Sequence, residues 1–260
     1  MMMSYASVPT MEGLREASDR WARRERARVR LASGAAVLDA LLGGGWPQGK
    51  VGELVGPPSS GRSGVAAATI AAATARGEVV AWLDAADAFD PTSAAAAGVD
   101  LRRVLWVRPH GVEETVRAAE LVLETGGFTI LVLDLGGAAA AVQSRARGGR
   151  GALRLRLARA VERAGAVALV LAGRPWVGTL AGATVVLGRG TARWGGERSR
   201  WLDGIALRAR VQRGGVRHDP NVRAALAAAR GSSGEGVRSA GGGKPRPYIG
   251  EAGAEAALGA

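Results

Sequence analysis

The chain has 260 residues, 47% of them hydrophobic, with no cysteine, two histidines (His110 and His218) and a formal net charge of +12. That composition suits one compact domain of roughly 200 residues plus tails. It excludes disulfides and thiolate metal sites and disfavours a histidine-built one, so no metal centre of the protein's own is expected.

Residues 1–30 form the first expected unit, a charged helical segment with a thin apolar stripe of Leu14, Ala17 and Trp21. They hold no apolar signal core, and no apolar run in the chain approaches the about 20 residues of a membrane span. A cytoplasmic protein with no membrane partner is expected. Residues 31–229 are expected to be the folded core. "LASGAAVLDALLGGGWPQG" (31–49) runs from a short helix into a Gly/Pro turn, and "KVGELVG" (50–56) is a strand. "SGVAAATIAAATARG" (63–77) is an alanine-rich helix ending at Gly77, followed by the strand "VVAWLDA" (79–85). A short helix is expected over 91–98, a strand over 104–109 and a helix over 112–125. "FTILVLDL" (128–135) is a continuous apolar run ending in Asp134, as a buried parallel strand should be.

After it comes the basic, glycine-rich "GGAAAAVQSRARGGRG" (136–151), then a helix over 152–164 and the strand "AVALVLAG" (166–173). Two strands, about 183–193 and 203–213, flank "WGGERSRW" and predict a hairpin. Residues 230–260 are Gly-, Ser- and Ala-rich and predict a disordered tail. Strand and helix alternate, so the expected fold is α/β: a doubly wound, mostly parallel sheet with an antiparallel hairpin extension near its C-terminus.

The stretch "GPPSSGRSG" (56–64) matches the phosphate-loop pattern G-x-x-x-x-G-K-[ST] everywhere except at Arg62, where the pattern has lysine. A strand precedes it and a helix follows, which is the context such a loop needs. Backbone N–H groups from Gly56 through Ser59, Ser60, Gly61, Arg62 and Ser63 would cradle phosphates at the helix N-terminus, and Ser63 would meet Mg²⁺. Arg62 keeps the charge but replaces a compact ammonium with a bulkier planar fork. Asp134 stands where the metal-side aspartate of such a site would stand. Its alternative role is to cap the turn after its strand.

Charge is segregated along the chain. Residues 40–140 carry 7 basic and 11 acidic residues, net −4, whereas residues 141–217 carry 16 arginines against Glu162, Glu197 and Asp203, net +13. Uniform compositional bias would not divide this way; a surface for a polyanion would. The candidate nucleic-acid contacts are Arg145, Arg147, Arg150, Arg154 and Arg156, and the alternative is a solvated basic loop and helix face. "GRGTARWGGERSRW" adds Arg189, Arg193, Arg198 and Arg200 beside Trp194 and Trp201, a mixture that suits nucleic acid, a protein partner or a plain exposed hairpin.

"LASGAAVLDALLGGGWPQGKVGELVGPPSSGRSG", "VVAWLDAADAFDPTSAAAAGVDLRRVLWVRP" and "ILVLDL" resemble the entry, the second core strand and the metal-side strand of the ATPase core of the RecA recombinase family. The resemblance covers about residues 30–215 and is strongest over 33–136. "LDALLGGGWP", "RRVLWVRP" and "GRPW" look more like the ImuA proteins, RecA-related accessory proteins of bacterial damage-induced mutagenesis. That narrower resemblance implies RecA or translesion polymerase partners (an inactive Y-family polymerase and an error-prone replicative-type polymerase), DNA, and a nucleoid-associated place in the cytoplasm. The family implies ATP or ADP with Mg²⁺ as ligand.

Carried over residue by residue, the family pattern is broken four times. Its lysine is Arg62. Its catalytic glutamate falls on Ala86, with Asp87 one position along as the nearest carboxylate. Its adenine-contacting aspartate is kept as Asp90, but the stacking tyrosine beside it falls on Ser93. Its γ-phosphate-sensing glutamine falls near Ala172–Gly173. Loss of a positioned general base costs about 10²–10⁴ in rate, so turnover is expected to be inefficient; with Arg62 and Ser93 altered as well, nucleotide binding is expected to be weak or absent. Two functions follow: a binding protein of translesion synthesis on a RecA-like scaffold, or a divergent DNA-dependent ATPase or recombinase. A regulatory phosphate-loop module unrelated to repair is a third.

Overall fold

The computed structural model describes residues 29–136, 149–195, 201–215 and 222–227. The expected helical segment at the N-terminus and the expected tail at 230–260 lie outside these, as do Arg145, Arg147, Arg198 and Arg200.

Among the described residues, nine strands form the main sheet. In chain order they are β3 (Lys50–Val55), β4 (Val79–Asp84), β5 (Val104–Val107), β6 (Phe128–Gly136), β7 (Val167–Ala172), β8 (Ala181–Leu187), β9 (Thr191–Gly195), β10 (Trp201–Arg213) and β11 (Val222–Ala227). Across the sheet the order is β11-β10-β8-β3-β7-β6-β4-β5, with β9 paired to β10. The block from β8 to β5 is parallel, and β9, β10 and β11 are joined antiparallel. The expected doubly wound sheet with an antiparallel extension is therefore the observed one. A separate two-stranded ribbon, β1 (Arg30–Leu31) with β2 (Trp46–Pro47), ties down the entry segment.

Helices cover both faces. On one side α1 (Ala36–Leu42), α2 (Arg62–Ala75) and α3 (Pro91–Ala96) close a core of Leu38, Leu42, Trp46, Leu54, Ile70, Trp82 and Leu207. On the other, α4 (Gly111–Thr125) and α5 (Gly149–Ala164) close a core of Val51, Leu83, Val116, Leu133, Leu157 and Val170. Because both faces of β6 and β7 are covered, their side chains are buried without alternation, which is why both read as continuous apolar runs. The alanines of α2 allow close approach to the sheet, and its buried Thr69 donates to the carbonyl of Ser33, binding the entry segment to the helix. None of the helices among the described residues is long and apolar enough to cross a membrane.

One expectation is corrected. The strand anticipated over about 183–193 is two strands, β8 and β9, interrupted at Gly188–Arg189–Gly190. Both pair with the same long neighbour: β10 uses residues 209–213 for β8 and 201–206 for β9. Two glycines around a single arginine let the row break while β10 stays continuous, and the N–H of Gly188 still donates to the carbonyl of Arg208 at 2.9 Å. Strand β11 lies where the sequence reading placed no element.

Candidate functional site

The phosphate-loop stretch joins the carboxyl end of β3 to the N-terminus of α2. Gly61 sits there with φ +86°, and a Cβ on it would come within 2.7 Å of the Leu207 side chain of β10. Gly56 is packed as tightly, since a Cβ there would lie 2.5 Å from Ser60 Oγ and 2.6 Å from the carbonyl of Leu187. The loop thus keeps a tight backbone path over a floor made by β8 and β10. Ser59 holds a left-handed conformation at φ 61°.

Two polar atoms in this loop are buried without a hydrogen-bond partner: Ser60 Oγ and Arg62 Nη1. Ser60 is 1% exposed. Orphaned side-chain donors at a helix N-terminus fit a phosphate. For Mg²⁺ the donors present are the exposed Ser63 hydroxyl and the Asp134 carboxylate, which suits an ion held mostly by phosphate oxygens and water. Among the described residues no group of three or more His, Cys, Asp or Glu is placed to hold a metal by itself.

Asp134 lies on β6, with β7 between it and β3. It is 4% exposed and accepts from the N–H of Gly136 at 3.0 Å. Burial holds its carboxyl above the ordinary aspartate range; the Gly136 hydrogen bond and the Arg62 guanidinium pull it back down, and neighbouring Asp84 pushes it up. Asp84 is opposite Asp134 in the β4–β6 register. Its oxygens are taken by the N–H groups of Ala88 (2.9 Å) and Phe89 (3.0 Å) and by Trp106 Nε1 (3.3 Å), so it serves the turn after β4.

Ala86 is in that turn, at the carboxyl edge where β4 meets β6. A Cβ on Gly136 would lie 2.6 Å from the Ala86 Cβ, and the N–H of Ala85 donates to the carbonyl of Asp134. A methyl group therefore stands at the position where the resemblance described above would put a glutamate. Asp87, the nearest alternative, has φ 52° and an exposed carboxylate paired with Arg108. Arg108 also lies over the Trp106 ring at 5.5 Å. Asp90 caps α3, accepting from the N–H groups of Thr92 and Ser93, both at 3.1 Å, and from the Ser93 hydroxyl. The Ser93 hydroxyl is the main reason its carboxyl is held below the ordinary range.

The basic segment divides. Arg150 falls in the first turn of α5. Arg154 lies over the buried Trp176 ring at 5.7 Å, and Arg156 makes a two-pronged pair with Glu120 of α4. The last two thus also fasten α5 to its surroundings. Trp176 packs in the core on the α5 side of the sheet.

Sequence reasoning missed Glu53. It is fully buried on β3 and accepts from the N–H groups of Trp176 (2.6 Å) and Val177 and from the Thr184 hydroxyl (3.2 Å). A lone carboxylate inside "KVGELVG" was the available signal, since a buried charge requires partners.

Comparison with known proteins decides the lineage. The model of the RecA N-terminal domain matches residues 20–162, more than half of the chain. The chain belongs to the RecA family. RecA of Picosynechococcus sp. is 38% identical over 104 residues, 40% of this chain and 30% of that protein. RecA of Nostoc punctiforme is 40% identical over 110 residues, 42% of this chain and 31% of that protein. RecA of Lactobacillus delbrueckii subsp. bulgaricus is 40% identical over 103 residues, 39% and 31% respectively. The matched region spans about three tenths of the length of these RecA proteins. In fold, a crystal structure of the RadB recombinase superposes with a TM-score of 0.59 at 19% identity, covering 76% of this chain and 95% of that one. The RecA-family core thus carries the phosphate loop, Ala86 and Asp134 at one edge of the sheet.

Proposed function

We propose that this RecA-family chain is an ImuA-type accessory protein of DNA-damage-induced translesion synthesis. On this reading it works by binding DNA, RecA or a polymerase-associated partner, and it turns over ATP poorly. The observation that carries the reading is the methyl of Ala86 against Gly136, beside an intact phosphate-loop backbone. Asp84 is engaged by the turn after β4 and Asp87 by Arg108, so neither carboxylate supplies a ready base in its place. A general base is worth about 10²–10⁴ in rate. The scaffold, by contrast, keeps its fold, and backbone cradling of phosphate needs no side chain.

The alternative is a divergent DNA-dependent ATPase or recombinase. Ser60 Oγ and Arg62 Nη1 speak for it, because a bound phosphate would satisfy both. ATP hydrolysis measured with and without single-stranded DNA separates the two. Background rates that do not change in Asp134→Asn support the binding protein. DNA-stimulated turnover abolished by Asp134→Asn overturns it.

A further inference from the structure

Three carboxylates among the described residues are buried: Glu53, Asp84 and Asp134. The two aspartates end β4 and β6 at the carboxyl edge of the sheet. Glu53 lies inside β3 and takes no part in that edge. Val51 packs into the core closed by α4 and α5, and Glu53, two residues on, points to the same side. In the sheet register it stands beside Val170 of β7 and Thr184 of β8. The Thr184 hydroxyl donates to one of its oxygens at 3.2 Å, and the backbone N–H groups of Trp176 and Val177 donate to the other.

The segment after β7 is therefore closed on more than one count. Trp176 and Val177 are each 2% exposed and pack in the core, and Arg154 of α5 lies over the Trp176 ring at 5.7 Å. Lifting the segment would uncover two apolar side chains and leave a buried charge without its donors, which a protein interior tolerates poorly. Its outer residues Arg174, Pro175 and Leu180 stay exposed. The phosphate loop meets this region through backbone: the N–H of Gly56 donates to the carbonyl of Ala172 at 3.2 Å, where β3 and β7 are paired. Gly173 follows without a side chain, and a Cβ on it would meet nothing within 4 Å. An occupant of the phosphate loop thus finds no side chain to draw on at that residue.

We propose that Glu53 is a latch that fixes residues 174–180 in one conformation, whether the phosphate loop is empty or filled. The inference rests on the reading that this chain works by binding, and it adds how that binding is regulated: the surface carrying Arg174, Pro175 and Leu180 is presented at all times and is not gated by nucleotide. A ligand shifts a conformational equilibrium only by its difference in affinity for the two forms. Here the open form would break three hydrogen bonds to one buried carboxylate and withdraw Trp176 and Val177 from the core. The segment is thereby tied to the same core that holds β3 and β7, so it opens with the sheet and not ahead of it.

The test is native-state hydrogen exchange of the full chain, resolved to single amides. The amides of Trp176 and Val177 should be protected to within about threefold of those of Leu169 and Leu171 in β7, because both pairs exchange through the same opening. That ratio of loop to core protection should stay within about threefold when ATP with Mg²⁺ or a single-stranded oligonucleotide is added. A ratio is read, so the result holds whether or not either probe binds. Glu53→Ala should lower loop protection at least about tenfold relative to the core. If that variant fails to fold, Glu53→Gln, which keeps an acceptor without the charge, should show the same change in smaller degree. Loop amides at least about tenfold less protected than the core in the wild-type chain overturn the latch. So does a ratio that falls about tenfold with either probe, since the segment would then be gated. A ratio unchanged in both Glu53 variants overturns Glu53 as its cause and leaves the packing of Trp176 as the restraint. DNA-stimulated ATP turnover abolished by Asp134→Asn, with the exchange ratio as expected, would remove the binding-protein reading and leave the latch standing.

Discussion

Glu53 and Trp176 are 123 residues apart in the chain and are joined by a 2.6 Å hydrogen bond from the backbone N–H of Trp176 to a fully buried carboxylate. The same oxygen accepts from Val177, so one side chain on the central strand organises the loop after β7. Glu53→Ala should destabilise the fold by about 2–5 kcal/mol, because two buried N–H groups lose their acceptor. Glu53→Gln keeps an acceptor at that position and should cost clearly less. Urea denaturation of both variants checks this; equal losses would show that the carboxylate itself, and not side-chain volume or a neutral acceptor, is what the site requires.

Asp134 is an aspartate kept at a cost to stability. Burial raises its carboxyl in the folded state, so the ionised form weighs against folding. The sign follows from linkage: the penalty is absent below the unfolded pKa of about 3.9, grows as pH rises through the folded pKa, and is complete above it. Asp134→Asn should therefore raise Tm at pH 7, by about 2–4 °C for each kcal/mol relieved, and the advantage should vanish near pH 3. A variant that melts lower at pH 7 would show that the Arg62 charge and the Gly136 N–H more than offset the burial.

Ala86 offers a gain-of-function check. Arg62→Lys with Ala86→Glu restores two of the four departures at the carboxyl edge of the sheet. DNA-dependent ATP hydrolysis should rise at least tenfold over wild type, with the about 10²–10⁴ that a positioned base supplies as the ceiling. No rise, with the fold intact by circular dichroism, would place the main block at Ser93 or at the end of β7.

Arg154 and Arg156 should separate from their sequence neighbours. Arg156→Ala removes a partly exposed pair with Glu120 and should cost no more than about 1 kcal/mol. Arg154→Ala loses a contact with the Trp176 ring and should cost about 0.5–2 kcal/mol. If these two arginines serve mainly to fasten α5, charge reversal at Arg145, Arg147 and Arg150 should weaken single-stranded DNA binding more than either alanine variant does. The reverse order would shift the contact onto the helix face.

Much of the molecule was legible because its signals are local. The apolar run of β6, the alanine face of α2 and the strand–loop–helix frame around Gly56, Gly61 and Ser63 each declare themselves within about fifteen residues. Asp134 was legible too, as an acid closing an apolar strand. Glu53 was not, because its partners come from a loop more than a hundred residues later. The break between β8 and β9 was hidden because its two halves share one neighbour, and only pairing reveals that. Asp87 was already disfavoured in the sequence, because one position along a strand end turns a side chain elsewhere; its left-handed backbone and its pair with Arg108 commit it elsewhere.

The sequence by itself determined the α/β class, the phosphate-loop frame, the absence of a glutamate at Ala86 and the concentration of positive charge after residue 140. Each is a matter of residue type and short-range order, which folding does not alter. Tertiary structure alone decided which charges are engaged. It paired Arg76, Arg102, Arg103, Arg108 and Arg117 with nearby carboxylates, buried Glu53 among backbone donors, and used a one-residue bulge to turn Arg213 to the side of Arg208 and Arg210. Side-chain direction on a strand depends on register, and register is set by neighbours distant in the chain.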